Sequence, residues 1–194
     1  VFCAIYLVEY ARSDNPLLPV IRATTQTLSG IPSIVYGLFG MLFFVTRLGW
    51  GYSVLAGAFT LAIMILPLII RTTEDALMTV PMSYREGSYA LGAGRLRTIF
   101  RVVLPSASPG ILSGVILSIG RIVGESAALI YTAGTVAQVP STPMGSGRTL
   151  ATHMYALSSE GMYTEESYAT AVVLLVIVIG INSLAGFLAK KIEK

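Results

Sequence analysis

The sequence predicts an all-α, polytopic transmembrane helical bundle. Three observations carry that prediction. Hydrophobic residues make up 54% of the 194 residues, charged residues only 12%, and the mean hydropathy is +0.75; soluble domains carry about twice that charged fraction. Several segments approach the ~20 apolar residues that a ~30 Å hydrocarbon core demands. Most of the charges that remain lie between those segments, with Arg121 and Glu125 inside one of them. A net charge of +3 is weak support for a nucleic-acid partner, and none is expected. Cys3 is the only cysteine of the sequence, which leaves no intrachain disulfide and no thiolate metal cluster.

Val1–Ala11 (VFCAIYLVEYA) is apolar but too short to cross a bilayer, so it reads as the second half of a membrane helix whose earlier part is missing. Cys3 within it reads as lipid- or helix-facing filler. A polar stop follows at Arg12–Pro16. Leu17, Leu18, Ile21 and Thr25 then recur about one turn apart, the pattern of an amphipathic helix at a membrane surface. The next span is expected from Ser29 to Thr46, with Ser29 as N-cap and Pro32 in the first turn, where a missing N–H costs nothing. Arg47, Gly49 and Gly51 make a turn, with Trp50 and Tyr52 at interfacial depth.

Val54–Ile70 is the following span, with Pro67 inside it as a site of kinking. Residues 74–108 form a polar loop. Pro109–Tyr131 is a span in which Gly110, Gly114 and Ser118, and again Gly120 and Gly124, fall four apart and admit a close neighbour. Thr132–Ser167 is polar and turn-rich, with a short amphipathic helix at Leu150–Leu157; its lone His153 reads as a surface or interface residue. Tyr168–Leu188 is the last span. Cations fix the orientation: Arg12, Arg22, Arg71, Arg85, Arg95, Arg97, Arg101, Lys190, Lys191 and Lys194 lie on the side of the polar loop, against Arg47 and Arg148 on the other. The loop and the C-terminus are therefore expected in the cytoplasm.

Within the loop, Ser83-x-x-Glu86 has the form of a capping box. The helix it opens should end near Gly92–Ala93–Gly94, where glycine admits a left-handed turn. A second helix follows, with Leu96, Ile99 and Val103 on one stripe, and stops at Leu104–Pro105. In the span beyond, Arg121 lies about twelve residues past Pro109, ~18 Å along a helix and near mid-membrane. An arginine there costs ~2.5–3.5 kcal/mol on insertion scales. Glu125 is one turn on, within pairing reach. The two serve either as a self-neutralised pair locking helices together or as an anion path, in which the guanidinium holds an oxyanion by parallel N–H bonds.

Glu86, Gly92 and Leu104–Pro105 resemble the Glu-Ala-Ala loop of importer-type ABC permeases, with Gly87 and Ser88 in place of the alanines and Val102 in place of an isoleucine. The resemblance implies coupling helices seated in a cleft of an ATPase subunit, through Glu86, Gly87, Ser88, Gly92, Leu104 and Pro105. Gly145–Ser146–Gly147–Arg148 lacks the Lys-Ser/Thr of a phosphate loop, so ATP and Mg²⁺ would be bound by a separate polypeptide and no cofactor, metal or catalytic residue is expected in this chain. More specifically, GRIVGESAALIYTAG, IPSIVYGLFG, LAIMILPLIIRTTEDAL and HMYALSSEG are similar to the phosphate-specific ABC permease family, its A-type (PstA) subunit in particular, along essentially the whole chain.

That resemblance implies a type I importer (MetI-like) permease fold across residues 1–194, with about six spans in the family against four complete ones here. It implies a bacterial or archaeal plasma membrane and a path for inorganic phosphate past Arg121, Glu125, Ser126 and Arg71. The partners it implies are a second, PstC-type permease, a PstB-type ATPase dimer and a PstS-type extracytoplasmic phosphate-binding protein, besides membrane lipid. A molybdate or sulfate permease is the alternative within the same class; an intramembrane enzyme or passive channel fits less well, since only Glu125 is available for catalysis at membrane depth and a channel has no use for a coupling loop.

Overall fold

A computed structural model describes residues 1–11, 15–161 and 163–192; Arg12 and Lys194, two of the cations used above, lie outside them. The described residues are helical with no strand. Helix α1 starts at Phe2–Ile5 and widens into π-helical turns at Tyr6–Tyr10; α2 is Leu17–Ser29; α3 is Ser33–Gly40 continued by wide turns at Met41–Arg47. Helix α4 is Val54–Met78 and α5 is Met82–Ala90. Helix α6 runs without interruption over Arg95–Val123, α7 is the short Ala127–Ile130, α8 is Leu150–Glu160 and α9 is Thr164–Ile192. Three helices, Val54–Met78, Arg95–Val123 and Thr164–Phe187, are long and apolar enough to cross a membrane, and α2 with α3 counts as a fourth if the break between them is taken inside one span.

Several helix ends differ from expectation. Ser29 caps nothing: it is the last residue of α2 and its hydroxyl donates back to the Thr25 carbonyl (2.9 Å). Pro32 instead stands at the N-cap of α3, its fixed φ placing the chain in extended geometry just before the helix. Helix α4 passes Pro67 and continues beyond Arg71 to Met78, because Thr72–Asp75 contains nothing that breaks a helix and the Thr72 hydroxyl bonds back to Leu68 O (3.0 Å). The expected stop at Leu104–Pro105 is also absent. The carbonyl of Pro105, deprived of a donor by Pro109 four residues on, receives the Ser108 hydroxyl instead (2.8 Å), so α6 survives both prolines.

The fold resolves into two compact units. The first comprises described residues of 1–29, 67–118 and 184–194. Its core is Ala4, Ile5, Ala76, Leu77, Val80, Ile99, Val103 and Ala107, so the start of α6 is buried along Ile99 and Val103 as its apolar stripe predicts, but Leu96 is exposed. The small residues of α6 face α4: a Cβ at Gly110 would lie 2.8 Å from Ala76 Cβ, and one at Gly114 would collide with Thr72 Oγ1. The second unit comprises 30–66 and 119–183. There α3 packs closely on α7, with Gly37 against the Ala128 backbone, and Phe39, Phe43, Phe44, Trp50 and Phe59 form a continuous aromatic cluster. The long segment after α7 caps α4, since Val54 N–H donates to Gly145 O (3.0 Å) and Leu55 N–H to Pro143 O (2.9 Å). Gly120 faces Asn182 of α9, whereas a Cβ at Gly124 would meet only the Gly120 carbonyl, at 3.7 Å.

Candidate coupling surface and anion path

The hairpin expected to couple consists of α5, a reversal at Gly92 and the first turns of α6. Its N-terminus is not the capping box expected from Ser83 and Glu86: the helix begins at Met82 behind Pro81, no side chain caps it, and both residues are exposed. Proline lacks the N–H that a box would have to satisfy reciprocally, and its geometry starts the helix one residue before Ser83. The C-terminus is as predicted. Gly92 has φ +78°, its N–H donates to Tyr89 O (2.9 Å), and Ala93 N–H donates to Ser88 O (3.1 Å), the double closure of a Schellman turn. Ser88 also joins the two arms, with its Oγ 2.9 Å from the buried Thr98 Oγ1.

What fixes α5 in place is Arg85, which positive-inside counting treats as a surface cation. Its side chain is 8% exposed, and its partner Glu9 is 5% exposed. Nε and Nη2 donate to Glu9 Oε1 at 3.0 and 2.7 Å, Nη1 donates to Val80 O (2.8 Å) and Nη2 to Leu77 O (3.1 Å). One guanidinium thus ties α5 to α1 and to the carbonyls just at the end of α4. The sequence signal was Glu9 itself, a lone carboxylate in an apolar run. With Arg85 turned inward, Glu86 and Gly87 are left facing solvent. Around the reversal Leu91 is 90% exposed and Met82, Tyr84 and Leu96 are also uncovered, an apolar apex that periodicity had assigned in part to the interior. Leu104 is half-buried and Pro105 exposed, both now within α6.

In the second unit α6 ends at Val123, and Gly124–Ser126 is a break before α7. The expected pairing of Glu125 with Arg121 required a continuous helix, and it does not form: among the described residues the ion pairs are Arg22–Glu74, Arg71–Asp75 and Arg85–Glu9. Glu125 is buried in the break, where its Oε1 accepts the Ala128 N–H (3.2 Å) and so caps the first turn of α7. Ser126 is the N-cap residue of α7, without a side-chain cap bond. Arg121, partly buried in the last turn of α6, therefore has no carboxylate partner, though Tyr36 is near enough to feel its charge. Arg71 lies in the first unit. It reaches Asp75 only at 4.0 Å and shares a cleft of about 260 Å³ with Arg22, Glu74 and Gln26; Arg22 and Glu74 are joined at 2.6 Å. Among the described residues no three His, Cys, Asp or Glu side chains meet as a metal site would need.

Apolar helices long enough to span, an exposed helical hairpin and a partly buried arginine with no carboxylate partner among the described residues are the features of a multi-span helical membrane subunit. The chain belongs to the family of binding-protein-dependent transport system inner membrane components, whose model matches residues 2–194. It is 38% identical over 206 residues to the probable ABC transporter permease protein YqgI of Bacillus subtilis, covering 98% of this chain and 70% of that one. It is 42% identical over 131 residues to the phosphate transport system permease protein PstA of Mycobacterium leprae, covering 68% of this chain and 42% of the relative. The fold is similar to that of a chain in the inward-facing MetNI methionine ABC transporter, with a TM-score of 0.78 at 20% identity over 98% of this chain and 84% of that one. This is the MetI-like architecture the sequence predicts. The chain spans less than half the length of the mycobacterial PstA relatives it matches, such as the one from Mycobacterium leprae.

Proposed function

We propose that this chain is the A-type permease subunit of an ATP-driven phosphate importer and carries inorganic phosphate into the cytoplasm. The observation that carries the reading is Arg121, a guanidinium in a membrane helix with its carboxylate neighbour engaged elsewhere. A fixed cation without a competing anion lowers the barrier that a low-dielectric core sets against an oxyanion, and its planar fork suits phosphate oxygens. Relatives of about this similarity that are named phosphate permeases, in Mycobacterium leprae and Mycoplasma pneumoniae, support phosphate as cargo.

In this reading the apex around Leu91, with Glu86, Gly87, Ser88 and Gly92, seats in a cleft of a PstB-type ATPase dimer, which holds ATP and Mg²⁺. A PstC-type permease completes the path, and a PstS-type protein delivers phosphate from outside. Arg71 serves at the cytoplasmic end of the path, with Ser126 beside Glu125. The coupling hairpin and the C-terminus face the cytoplasm and residues 132–167 face outward, in agreement with the segregation of cations.

The test is ATP-dependent uptake of labelled phosphate, sulfate and molybdate by the complete assembly in proteoliposomes. Phosphate should be taken up and Arg121→Gln should abolish uptake, with Arg121→Lys impairing transport more than assembly. Since Arg121 and Glu125 do not neutralise one another, the double change Arg121→Leu with Glu125→Leu should leave transport dead. Uptake of sulfate or molybdate in place of phosphate refutes the cargo, and near-normal phosphate uptake in the double variant refutes the path. Orientation is read separately in a Cys3→Ser background: Ser146→Cys should react with an impermeant maleimide in intact cells and Ser88→Cys should not.

A further inference from the structure

The segment proposed to face outward contains a second arginine with unused donors. Arg148 follows the turn-rich stretch after α7 and immediately precedes Thr149, the N-cap of α8. Of the five N–H donors that a guanidinium carries, Nη1 reaches Thr135 O only at 3.4 Å, well beyond the ~2.7–2.9 Å of a charge-assisted bond. Nε is buried with no hydrogen-bond partner, and no carboxylate pairs with this residue among those described. Arg22, Arg71 and Arg85 each have one. The difference is one of chemistry as well as of position, because an arginine held partly buried with idle donors is an uncompensated cation.

Arg148 lines a cleft of about 320 Å³ together with Gln138, Val139, Thr149, Leu150 and His153. None of these is acidic. Gln138 is held by its Nε2 donating to Ser146 O (3.1 Å), and the His153 ring makes no hydrogen bond to any described residue, so a ring N–H is available. At about 30 Å³ per water, the cleft takes a small tetrahedral oxyanion with a partial hydration shell. The rim is apolar, with Val139 94% exposed. We infer that Arg148 and His153 form an outer receiving site for a small oxyanion, inorganic phosphate in the proposed transporter, distinct from Arg121. The inference rests on the proposed import of phosphate and on the outward placement of this segment.

The measurement is local to the cleft. In a Cys3→Ser background, Val139→Cys in the complete assembly, reconstituted in nanodiscs without the delivery protein, is labelled with a maleimide at rising inorganic phosphate. Phosphate should slow the reaction severalfold, and leave unaffected a control cysteine at Ser141, which does not line this cleft. Arg148→Gln should raise the phosphate needed for protection about tenfold or more, the weight of a lost hydrogen bond to a charged group; Arg148→Lys should fall between. If Arg148→Gln fails to assemble, His153→Ala is read in the same way, with a smaller rise expected. Absence of protection by both phosphate and sulfate, protection unchanged in both variants, or protection seen only when the delivery protein is added each overturns the site, the last by making this face a docking surface. Normal phosphate uptake with no protection sinks the site and leaves import standing. Sulfate that protects and is taken up where phosphate does neither sinks phosphate import and leaves the cleft an oxyanion site.

Discussion

Replacing Glu9 should loosen the coupling hairpin from a distance. Arg85 and Glu9 are 8% and 5% exposed, so removing the carboxylate leaves a guanidinium in a site with little water to solvate it. Breaking one partner out of a buried pair typically costs about 3–5 kcal/mol. Glu9→Gln retains an acceptor for Nε and Nη2 and should fall at the lower end of that range; Glu9→Ala retains nothing and should fall at the upper end. Removing both charges, as Glu9→Leu with Arg85→Leu, takes away the orphan but also strips the donors from Leu77 O and Val80 O. Each buried carbonyl left unsatisfied costs about 1–3 kcal/mol, so the double variant should remain less stable than the parent.

Stability is read by denaturant titration in mixed micelles and coupling by retention of the ATPase subunit on purification. Because Arg85 neighbours Glu86 on α5, the single variants should lose ATPase retention while the permease still inserts. A Glu9→Ala protein within ~0.5 kcal/mol of the parent, the range of ordinary surface substitutions, would refute the reasoning, since it would mean that the pair is neither buried nor structural.

Three further outcomes follow from the geometry. Gly92 has φ +78° and open space around it, so the cost of a side chain there is conformational, about 1–2 kcal/mol, and Gly92→Ala should weaken ATPase retention nearly as much as Gly92→Leu; a large gap between the two by co-purification would point to crowding instead. Gly114→Ala should destabilise by about 1–3 kcal/mol in the same denaturant titration, because Thr72 occupies the space, whereas Gly124→Ala, with its nearest contact at 3.7 Å, should be tolerated. Glu125→Gln keeps an acceptor for the Ala128 N–H and should leave thermal stability within ~1 kcal/mol, while Glu125→Ala should cost about 1–3 kcal/mol; equal losses in both would restore a charge pairing with Arg121.

Hydropathy made the class of fold legible, because it is an average over many residues. The Gly92 reversal and the Ile99–Val103 stripe were legible for a local reason: one depends on a single backbone angle, the other on a helical period. Boundaries were less so. Whether Pro105 and Pro109 end a helix depends on where the freed carbonyls find donors, and Ser108 supplies one in a way no spacing rule anticipates. The inward turn of Arg85 was hidden for a related reason. Its two partners on the main chain and its carboxylate on α1 are separated from it by very different distances in sequence, and only the third dimension joins them.

The break at Gly124–Ser126 bears most directly on mechanism. On an unbroken helix, residues four apart face each other, and Arg121 with Glu125 would be a neutral unit offering little to an anion. Ending α6 at Val123 turns the carboxylate toward α7, where a backbone N–H takes it up. The glutamate then stabilises the start of a short helix, and the arginine keeps its charge available. Two residues that spacing alone reads as partners are therefore parted, the glutamate building the break and the arginine left, in the proposed function, to meet the anion.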